Sequence, residues 1–418
     1  MPLIGEQVSV YFPPVPGDLN QVGLPSGLVT DLILRRLSIE GTSGLENLGR
    51  TLKLPIPVVH AIFTHLRQQQ LCEVKGMVGN DYRTCLSGSG RAMAAERFQI
   101  SQYSGAAPVS LRSYCAAVKA QAAEPEVNRQ VLQVAFSDMV TSESLLDQLG
   151  PALIEHSSIF LYGPPGNGKT SIAERLLRVY QDAILIPYAV EVDGQVISVY
   201  DPIVHKKVGE DDRDRDPRWV LCQRPCIMVG GELAAALLEL HYDDASGIYS
   251  APLQMKANNG IFIIDDFGRQ QMSPRELLNR WIVPLDRRVD YLSLRYGLKF
   301  EIPFEVLVVF STNIAPKDLA DEAFLRRIHN KIQVGDVSPD SFDEIFRRVA
   351  KARKVGLGDD SLDTFRRLCL ADGRTELRAC YPNDVCKILM SIARYEDREP
   401  VASDEDLSRA VQLYFAAD

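Results

Sequence analysis

One eight-residue segment has the composition and order needed to bind phosphate groups. It reads Gly163-Pro164-Pro165-Gly166-Asn167-Gly168-Lys169-Thr170, and we call it the phosphate loop. Its glycines let backbone N–H groups point inward at phosphate oxygens, at the positive end of a helix. We expect Lys169 to reach the β and γ phosphates and Thr170 to bind Mg²⁺ through its hydroxyl oxygen. The segment therefore predicts a site for ATP and Mg²⁺.

Two adjacent carboxylates follow an apolar run later in the chain. The run Ile261–Ile264 is typical of a buried strand, and Asp265 and Asp266 come directly after it. We expect Asp265 to hold Mg²⁺, through water, and Asp266 to act as a general base or to polarise the attacking water. A strand end that is merely capped by acids is the weaker alternative, because the pair follows the phosphate loop at the distance this kind of fold requires.

Polar and cationic side chains come after a third apolar run, Val306–Phe310. Asn313 is placed to hold a water molecule against the γ phosphate. Arg326 and Arg327 follow a short predicted helix. Taken alone they would be solvated surface residues, but behind three nucleotide-binding elements they become candidates for arginine fingers that stabilise the transferred phosphoryl group.

The elements around these residues predict an α/β domain. The phosphate loop lies between a predicted strand, residues 158–162, and a predicted helix, residues 171–180, which argues against a chance glycine-rich turn. Residues 128–335 alternate strands and helices, the pattern of a parallel sheet. Residues 336–418 contain only helical runs and predict a helical lid behind that domain.

The front of the chain has a different pattern. Residues 1–24 are rich in proline and glycine and predict a flexible tail. Residues 25–100 predict three helices and a short hairpin, an order that resembles a small winged-helix (α+β) domain. Residues 101–127 carry small side chains with little periodicity and predict a linker.

Two further hairpins are predicted inside the α/β domain. One joins residues 184–192 to residues 195–200 around Asp193-Gly194, and we assign it no role. The other joins residues 290–295 to residues 298–304 through Tyr296-Gly297.

Composition bounds the remaining possibilities. The net charge is −9, yet residues 25–120 hold 11 Lys and Arg against 6 Asp and Glu, so only the front of the chain is suited to a phosphate backbone. No apolar run of ~18 residues predicts a membrane span, and the N-terminus lacks the features of a secretory signal, so we expect a cytoplasmic protein. The eight cysteines lack zinc-ligand spacing and are expected to be reduced.

Together these motifs resemble those of AAA+ ATPases over residues 128–418. The phosphate loop resembles a Walker A motif, IFIIDD a Walker B motif and Asn313 a sensor 1 residue. The segment DEAFLRRIHNKIQV is similar to the finger segment of severing-type members, in which both consecutive arginines act on the neighbouring subunit's ATP. The resemblance implies ATP hydrolysis at the interfaces of a homo-oligomer, a hexameric ring or a filament, with Arg326 and Arg327 as fingers.

The hairpin before the sensor 1 strand is the hallmark of the pre-sensor-1 insertion branch, which includes MoxR-like chaperone ATPases, RuvB and bacterial enhancer-binding activators. Residues 230–265 are similar to the loop insertion and Walker B approach of those activators. By that analogy residues 241–249 form a client-facing pore loop, and an ordinary surface loop is an equal alternative.

Two features depart from the family pattern. The Walker B motif usually ends Asp-Glu, whereas Asp266 is one methylene shorter, so turnover is expected to be slow. Asn383 stands where the lid's sensor 2 arginine is expected, and Arg378 is a weaker substitute.

Two functions remain open. The first is a chaperone-like ATPase that remodels a protein client, with residues 25–100 as an adaptor. The second is an ATP switch that grips DNA through residues 25–100. The predicted recognition helix, residues 55–70, contains only His60, His65 and Arg67 as basic groups, which favours protein contact.

Overall fold

The computed structural model of the protein describes residues 11–122, 126–210, 212, 214–319 and 325–415. None of the helices in these ranges combines the length and the apolar composition needed to span a bilayer.

The N-terminal region packs helices against a three-stranded antiparallel sheet of order β1-β3-β2. Leu32, Ile33 and Leu37, at helical spacing, are fully buried in its core. Helices followed by a hairpin are what the sequence predicts here, and the winged-helix assignment stays a prediction. The elements are α1 (Leu19–Val22), α2 (Ser26–Glu40), β1 (Thr42–Gly44), α3 (Leu45–Leu52), α4 (Ile56–Gln68), β2 (Cys72–Val78), β3 (Asp81–Leu86) and α5 (Gly88–Ile100).

Two segments predicted to be irregular are built into the fold. The predicted tail, 1–24, includes α1, and Tyr11 packs edge-on against Trp219 with ring centroids 5.7 Å apart. The predicted linker, 101–127, includes β4 (Val109–Ser110) and α6 (Leu111–Ala120). Tyr114 in α6 is 2% exposed. Both predictions are wrong for the described residues, because contacts distant in sequence order these segments; residues 1–10 and 123–125 lie outside the described ranges.

The central domain is built on a five-stranded sheet of order β10-β13-β16-β5-β17, in which every pair is parallel. This confirms the predicted α/β fold with a parallel sheet. Its elements are α7 (Arg129–Ala135), α8 (Glu143–Ile154), β5 (Ile159–Tyr162), α9 (Lys169–Leu176), a 3-10 turn (Leu177–Val179), β6 (Ala183–Pro187), β7 (Ala189–Val192), β8 (Gln195–Ser198), β9 (Trp219–Gln223), β10 (Cys226–Val229), a 3-10 turn (Ala235–Leu238), β11 (His241–Asp243), β12 (Ile248–Ser250), α10 (Leu253–Lys256), β13 (Ile261–Ile264), α11 (Pro274–Arg287), β14 (Val289–Ser293), β15 (Lys299–Pro303), β16 (Leu307–Thr312), α12 (Pro316–Leu319) and β17 (Asn330–Gln333).

Strands β5, β13 and β16 are buried on both faces, between two hydrophobic clusters. Because all five strands run the same way, their carboxyl ends meet at one edge of the sheet and their amino ends at the other. We call these the carboxyl edge and the amino edge. The residues that follow Tyr162, Ile264 and Thr312 therefore meet at the carboxyl edge.

The hairpins are found beside this sheet. Strands β14 and β15 pair antiparallel, as predicted for residues 290–304. Strands β7 and β8 form the other hairpin around Asp193 and Gly194, whose φ angles are 49° and 76°. Its first strand is shorter than predicted, because residues 183–187 form β6, which pairs with β9 instead.

The C-terminal region is mainly helical and has its own core, which includes Phe342, Phe346 and Phe365. Strands β18 and β19 add one short parallel pair. The role of this region as a lid stays a prediction. Its elements are α13 (Pro339–Arg353), β18 (Gly356–Leu357), α14 (Ser361–Cys369), α15 (Tyr381–Tyr395), β19 (Val401–Ala402) and α16 (Asp404–Tyr414).

Candidate nucleotide site

The phosphate loop connects the carboxyl end of β5 to the first turn of α9. Gly163 has a φ of 145°, and a Cβ there would lie 2.1 Å from the carbonyl oxygen of Val334, so only glycine fits. Gly168, with a φ of 84°, is the N-cap of α9. The loop therefore leads into a helix N-terminus, where backbone N–H groups favour an anion.

Lys169 crosses the loop and reaches the next strand. Its Nζ donates to the carbonyl oxygens of Gly163 at 2.9 Å and Pro164 at 2.8 Å, and to Asn313 Oδ1 at 2.7 Å. Burial lowers the pKa of the ammonium, while nearby Asp265 and Asp266 oppose that shift. Lys169 thus links the phosphate loop to the residue predicted as sensor 1.

The two carboxylates after β13 face different partners. Thr170 Oγ1 donates to Asp265 Oδ2 at 2.8 Å, and Asn313 Nδ2 donates to Asp266 Oδ1 at 3.4 Å. Asp266 is exposed, whereas Asp265 is half-buried. The structure therefore brings together five of the predicted site residues in two sets of contacts. One set joins Thr170 to Asp265, and the other joins Lys169 to Asn313 and Asn313 to Asp266.

These residues open into a cavity of about 820 Å³ between the central domain and the C-terminal helices. The C-terminal helices contact the phosphate loop directly, since the N–H of Cys380 donates to the carbonyl oxygen of Gly166 at 2.9 Å. Beyond the predicted residues Gly166 to Thr170, Asp265, Asp266 and Asn313, the lining includes Asp138, Met139, Val140, Arg175, Arg269, Ile345, Arg348, Val349 and Asn383.

The donor set suits a nucleotide with Mg²⁺. Thr170 and Asp265 present the oxygen ligands that Mg²⁺ prefers, and Mg²⁺ usually takes its remaining ligands from water and phosphate. The loop supplies backbone N–H groups and Lys169 an ammonium for phosphate oxygens. The cavity volume is in the range of small-molecule sites.

The segment Ser137–Val140 was not predicted from the sequence, and its residues Asp138, Met139 and Val140 form one wall of the cavity. Asp138 accepts from Nε and Nη2 of Arg175, both at 3.0 Å, and from Arg178 at 2.8 Å. Hydrogen bonds from Arg175 first, then Arg178, hold the pKa of this carboxyl well below its usual range. Arg175 on α9 and Arg178 in the 3-10 turn after it were the available signal, but their partner precedes the loop and belongs to no motif.

A second missed contact joins that wall to the C-terminal helices. Arg348 in α13 donates from Nη1 to the carbonyl oxygen of Ser137 at 3.1 Å and from Nε to Glu344 Oε1 at 2.8 Å. Arg269, three residues after Asp266, lines the same cavity and is exposed.

Asn383 lines the cavity at the position where a sensor 2 arginine was expected. Its Oδ1 accepts from Nη2 of Arg353 at 2.7 Å. Arg378 is not among the described residues that line the cavity, and its guanidinium lies 3.8 Å from Glu376.

The predicted arginine fingers lie elsewhere. Arg326 is exposed, and Arg327 Nε lies 2.9 Å from Asp286 Oδ2. Both precede β17 and therefore sit at the amino edge, while the cavity is at the carboxyl edge. A four-residue strand spans about 13 Å, so they do not reach this chain's own phosphate loop. The preceding residues 320–324 lie outside the described ranges.

The predicted pore loop, residues 241–249, forms the β11–β12 hairpin. Its tip lies against the chain just after α5. Gln102 Nε2 donates to the carbonyl oxygen of Ala245 at 2.8 Å, and the backbone N–H of Gln102 donates to the carbonyl oxygen of Ser246 at 2.7 Å. Its contact with a client stays a prediction.

Comparisons with known proteins give one family and several distant folds. A family model described as a domain of unknown function (DUF8689) matches residues 338–413. No curated protein matches the chain.

The fold is similar to three solved structures. The RuvB Holliday junction branch migration motor of Thermotoga maritima is 12% identical, with 70% of this chain and 72% of that chain covered and a TM-score of 0.38. NtrX from Brucella abortus is 13% identical, with 65% and 56% covered and a TM-score of 0.40. The FIGL-1 AAA domain is 16% identical, with 69% and 85% covered and a TM-score of 0.37. These likenesses are distant, and the function proposed below rests on the geometry of the site.

Proposed function

We propose that the protein is an ATPase of the AAA+ type that binds ATP with Mg²⁺ and hydrolyses it. The observation that carries this proposal is the convergence at the carboxyl edge. Lys169 contacts Asn313, Thr170 contacts Asp265, and Asp266 contacts Asn313, all in one open cavity.

Each side chain has a distinct task in this proposal. Lys169 and the backbone N–H groups of the phosphate loop bind the β and γ phosphates, and Thr170 and Asp265 hold Mg²⁺. The bound cation neutralises charge on the phosphate oxygens. Asp266 withdraws a proton from the attacking water, and Asn313 orients that water. The exposure of Asp266 to the cavity supports its role as the group that meets water.

The decisive experiment compares the wild-type protein with Asp266→Asn. The variant should bind ATP with unchanged affinity but hydrolyse it about 10²- to 10⁴-fold more slowly, because the amide cannot accept the proton. Asp359→Asn, an exposed carboxyl away from the cavity, is the matched control. Wild-type turnover by Asp266→Asn would refute the assignment of the catalytic carboxylate.

A homo-oligomer completes the proposed site. Arg326, which is exposed, and Arg327, which is half-buried, lie at the opposite edge of the sheet from their own cavity, which supports action on the ATP of a neighbouring copy. We take a hexameric ring or a filament as the assembly, because either gives each cavity a neighbour's arginines.

The proposed use of the ATP cycle is to remodel a protein client through the N-terminal region. Met77 and Val78, at the tip of the β2–β3 hairpin, are 56% and 67% exposed. On the outward face of α4 the basic groups are His60, His65 and Arg67. The hairpin itself adds two exposed cations, Lys75, which pairs with Glu73, and Arg83. An apolar tip with this few cations suits a protein surface better than a phosphate backbone.

The alternative, a DNA-gripping switch, is tested by salt dependence. We expect the full-length protein to bind duplex DNA only at low salt, with affinity lost steeply by ~150 mM, because few phosphates can be neutralised. Tight, sequence-selective binding at ~150 mM salt would instead support the DNA function.

A further inference from the structure

The turn after β13 carries both carboxylates of the site, and the side chain of Gln270 forms hydrogen bonds with its backbone. Gln270 Nε2 donates to the carbonyl oxygens of Asp265 at 3.0 Å and Asp266 at 3.1 Å. Gln270 Oε1 accepts from the N–H of Gly268 at 2.8 Å. A single amide group therefore binds three backbone groups of the same turn.

The backbone of this turn is strained at the proposed catalytic residue. Asp266 has a φ of 48°, in the left-handed region that residues other than glycine seldom adopt. Such a conformation persists only where surrounding contacts enforce it. Because aspartate has a short side chain, the place of its carboxylate follows the backbone closely.

Other backbone contacts fix the middle of the turn, at Phe267. The N–H of Phe267 donates to the carbonyl oxygen of Ser311 at 2.7 Å, and Thr312 Oγ1 donates to the carbonyl oxygen of Phe267, also at 2.7 Å. These bonds attach Phe267 to β16. The carbonyl of Asp266 is bound from the other side, by Gln270 and by the N–H of Arg269 at 3.0 Å.

We propose that Gln270 is a positioning residue that holds Asp266 in its strained conformation and so directs the Asp266 carboxylate towards Asn313. The proposal rests on the proposed ATP hydrolysis. It requires an amide at position 270, because the two carbonyl oxygens need N–H donors and the N–H of Gly268 needs an acceptor. A glutamate would keep the acceptor but place a negative oxygen against two carbonyl oxygens.

Gln270→Glu is therefore a nearly isosteric test, and the chain offers a matched control one residue later. The side chain of Gln271 is exposed, and its backbone N–H donates to the carbonyl oxygen of Gly231 at 3.1 Å. We expect Gln270→Glu to lower kcat about 10- to 100-fold, since a shift of ~1 Å costs on that order. Affinity for a fluorescent ATP analogue should stay within about 3-fold, and Gln271→Glu should resemble the wild type.

A double-variant comparison shows whether Gln270 acts through Asp266. In the Asp266→Asn background, Gln270→Glu should cause no further loss of kcat, because the group being positioned is already inactive. Losses that multiply would overturn the proposal, as would wild-type kcat in Gln270→Glu or an equal loss of nucleotide affinity.

Amide hydrogen exchange of the nucleotide-free protein tests the same contact without any hydrolysis. Gln270→Ala removes the acceptor for the N–H of Gly268, so exchange at that amide should accelerate about 10-fold or more. Unchanged exchange would overturn the proposal. Absence of ATP hydrolysis in the wild type would refute the proposed function instead, and the exchange result would still judge the role of Gln270.

Discussion

The two edges of the central sheet both carry buried polar side chains, but their partners differ. At the amino edge, Arg224 donates to the carbonyl oxygens of Gln121 at 3.1 Å and Asn259 at 2.8 Å. Asn259 donates in turn to the carbonyl oxygen of Val118 at 2.8 Å. These side chains bind the main chain in the interior, and Arg224 also binds the Asp182 carboxylate.

At the carboxyl edge the polar side chains bind one another, around an open cavity. Lys169 contacts Asn313 and Thr170 contacts Asp265. A buried side chain whose partners all lie away from a cavity is committed to the fold, because its loss leaves buried groups without partners. A side chain that contacts another side chain beside solvent can exchange that partner for a ligand. Access to the open cavity therefore distinguishes the proposed site residues from the polar residues that stabilise this sheet.

The largest expected effect lies at the amino edge, at the two arginines predicted to act on a neighbouring copy. Arg327 binds a surface carboxylate, Asp286, and Arg326 is exposed. Removing both with Arg326→Ala and Arg327→Ala should lower kcat about 10³- to 10⁵-fold, or roughly 4–7 kcal/mol, with ATP affinity unchanged. The specific activity of the wild type should rise with protein concentration. As a control, Arg367→Ala, which changes an exposed arginine in α14, should leave kcat unchanged.

Mixing the double variant with Lys169→Ala tests whether the arginines act between copies. An intact cavity on one copy can meet intact arginines from another, so part of the activity should return. Full activity of a strictly monomeric sample would contradict the model, as would no recovery in mixtures shown to co-assemble.

The next prediction compares one buried cation from each edge. Lys169→Ala should weaken ATP binding about 100-fold or more, because the phosphates lose their ammonium partner, while the free energy of unfolding changes by about 1 kcal/mol or less. Arg224→Leu should instead cost about 3 kcal/mol of unfolding free energy, because Asp182 and two carbonyl oxygens lose their donor.

Denaturant unfolding and ATP titration of both variants measure the contrast. Folded Arg224→Leu protein should keep its ATP affinity. If Lys169→Ala proved the less stable of the two, access to the cavity would not distinguish the proposed site residues from the stabilising ones.

A pH dependence of stability is expected at the amino edge, and it develops gradually over more than two pH units. His156 is 7% exposed, and burial, followed by the charges of Arg288 and Arg224, lowers its pKa from 6.5 to about 4. The folded protein therefore keeps this ring neutral, while the unfolded chain takes up a proton below pH 6.5. Stability should fall by up to about 3 kcal/mol as the pH drops from 6.5 to 4.

His156→Asn should remove that part of the pH dependence. Asparagine is chosen because it tolerates the φ of 50° at this position. The exposed His241→Asn should leave it unchanged. Equal pH slopes for wild type and His156→Asn would show that the ring does not contribute.

The sequence by itself determined the phosphate loop, the strand that precedes it and the carboxylates after β13. Phosphate binding needs particular residue types at fixed local spacing, so the sequence alone predicts which residues would form such a site. Periodicity likewise revealed the helices of the N-terminal region and the α/β alternation, because burial of one face imposes it locally.

Only the tertiary structure decided which distant residues meet. The wall made by Asp138 and Met139, the contact of Arg348 with Ser137 and the burial of α6 depend on pairs far apart in sequence, and no local pattern encodes such pairs. The backbone conformation of Asp266 and the hydrogen bonds that Gln270 donates to the turn likewise depend on the tertiary structure. A glutamine four residues beyond a motif carries no signal until the chain has turned back on itself.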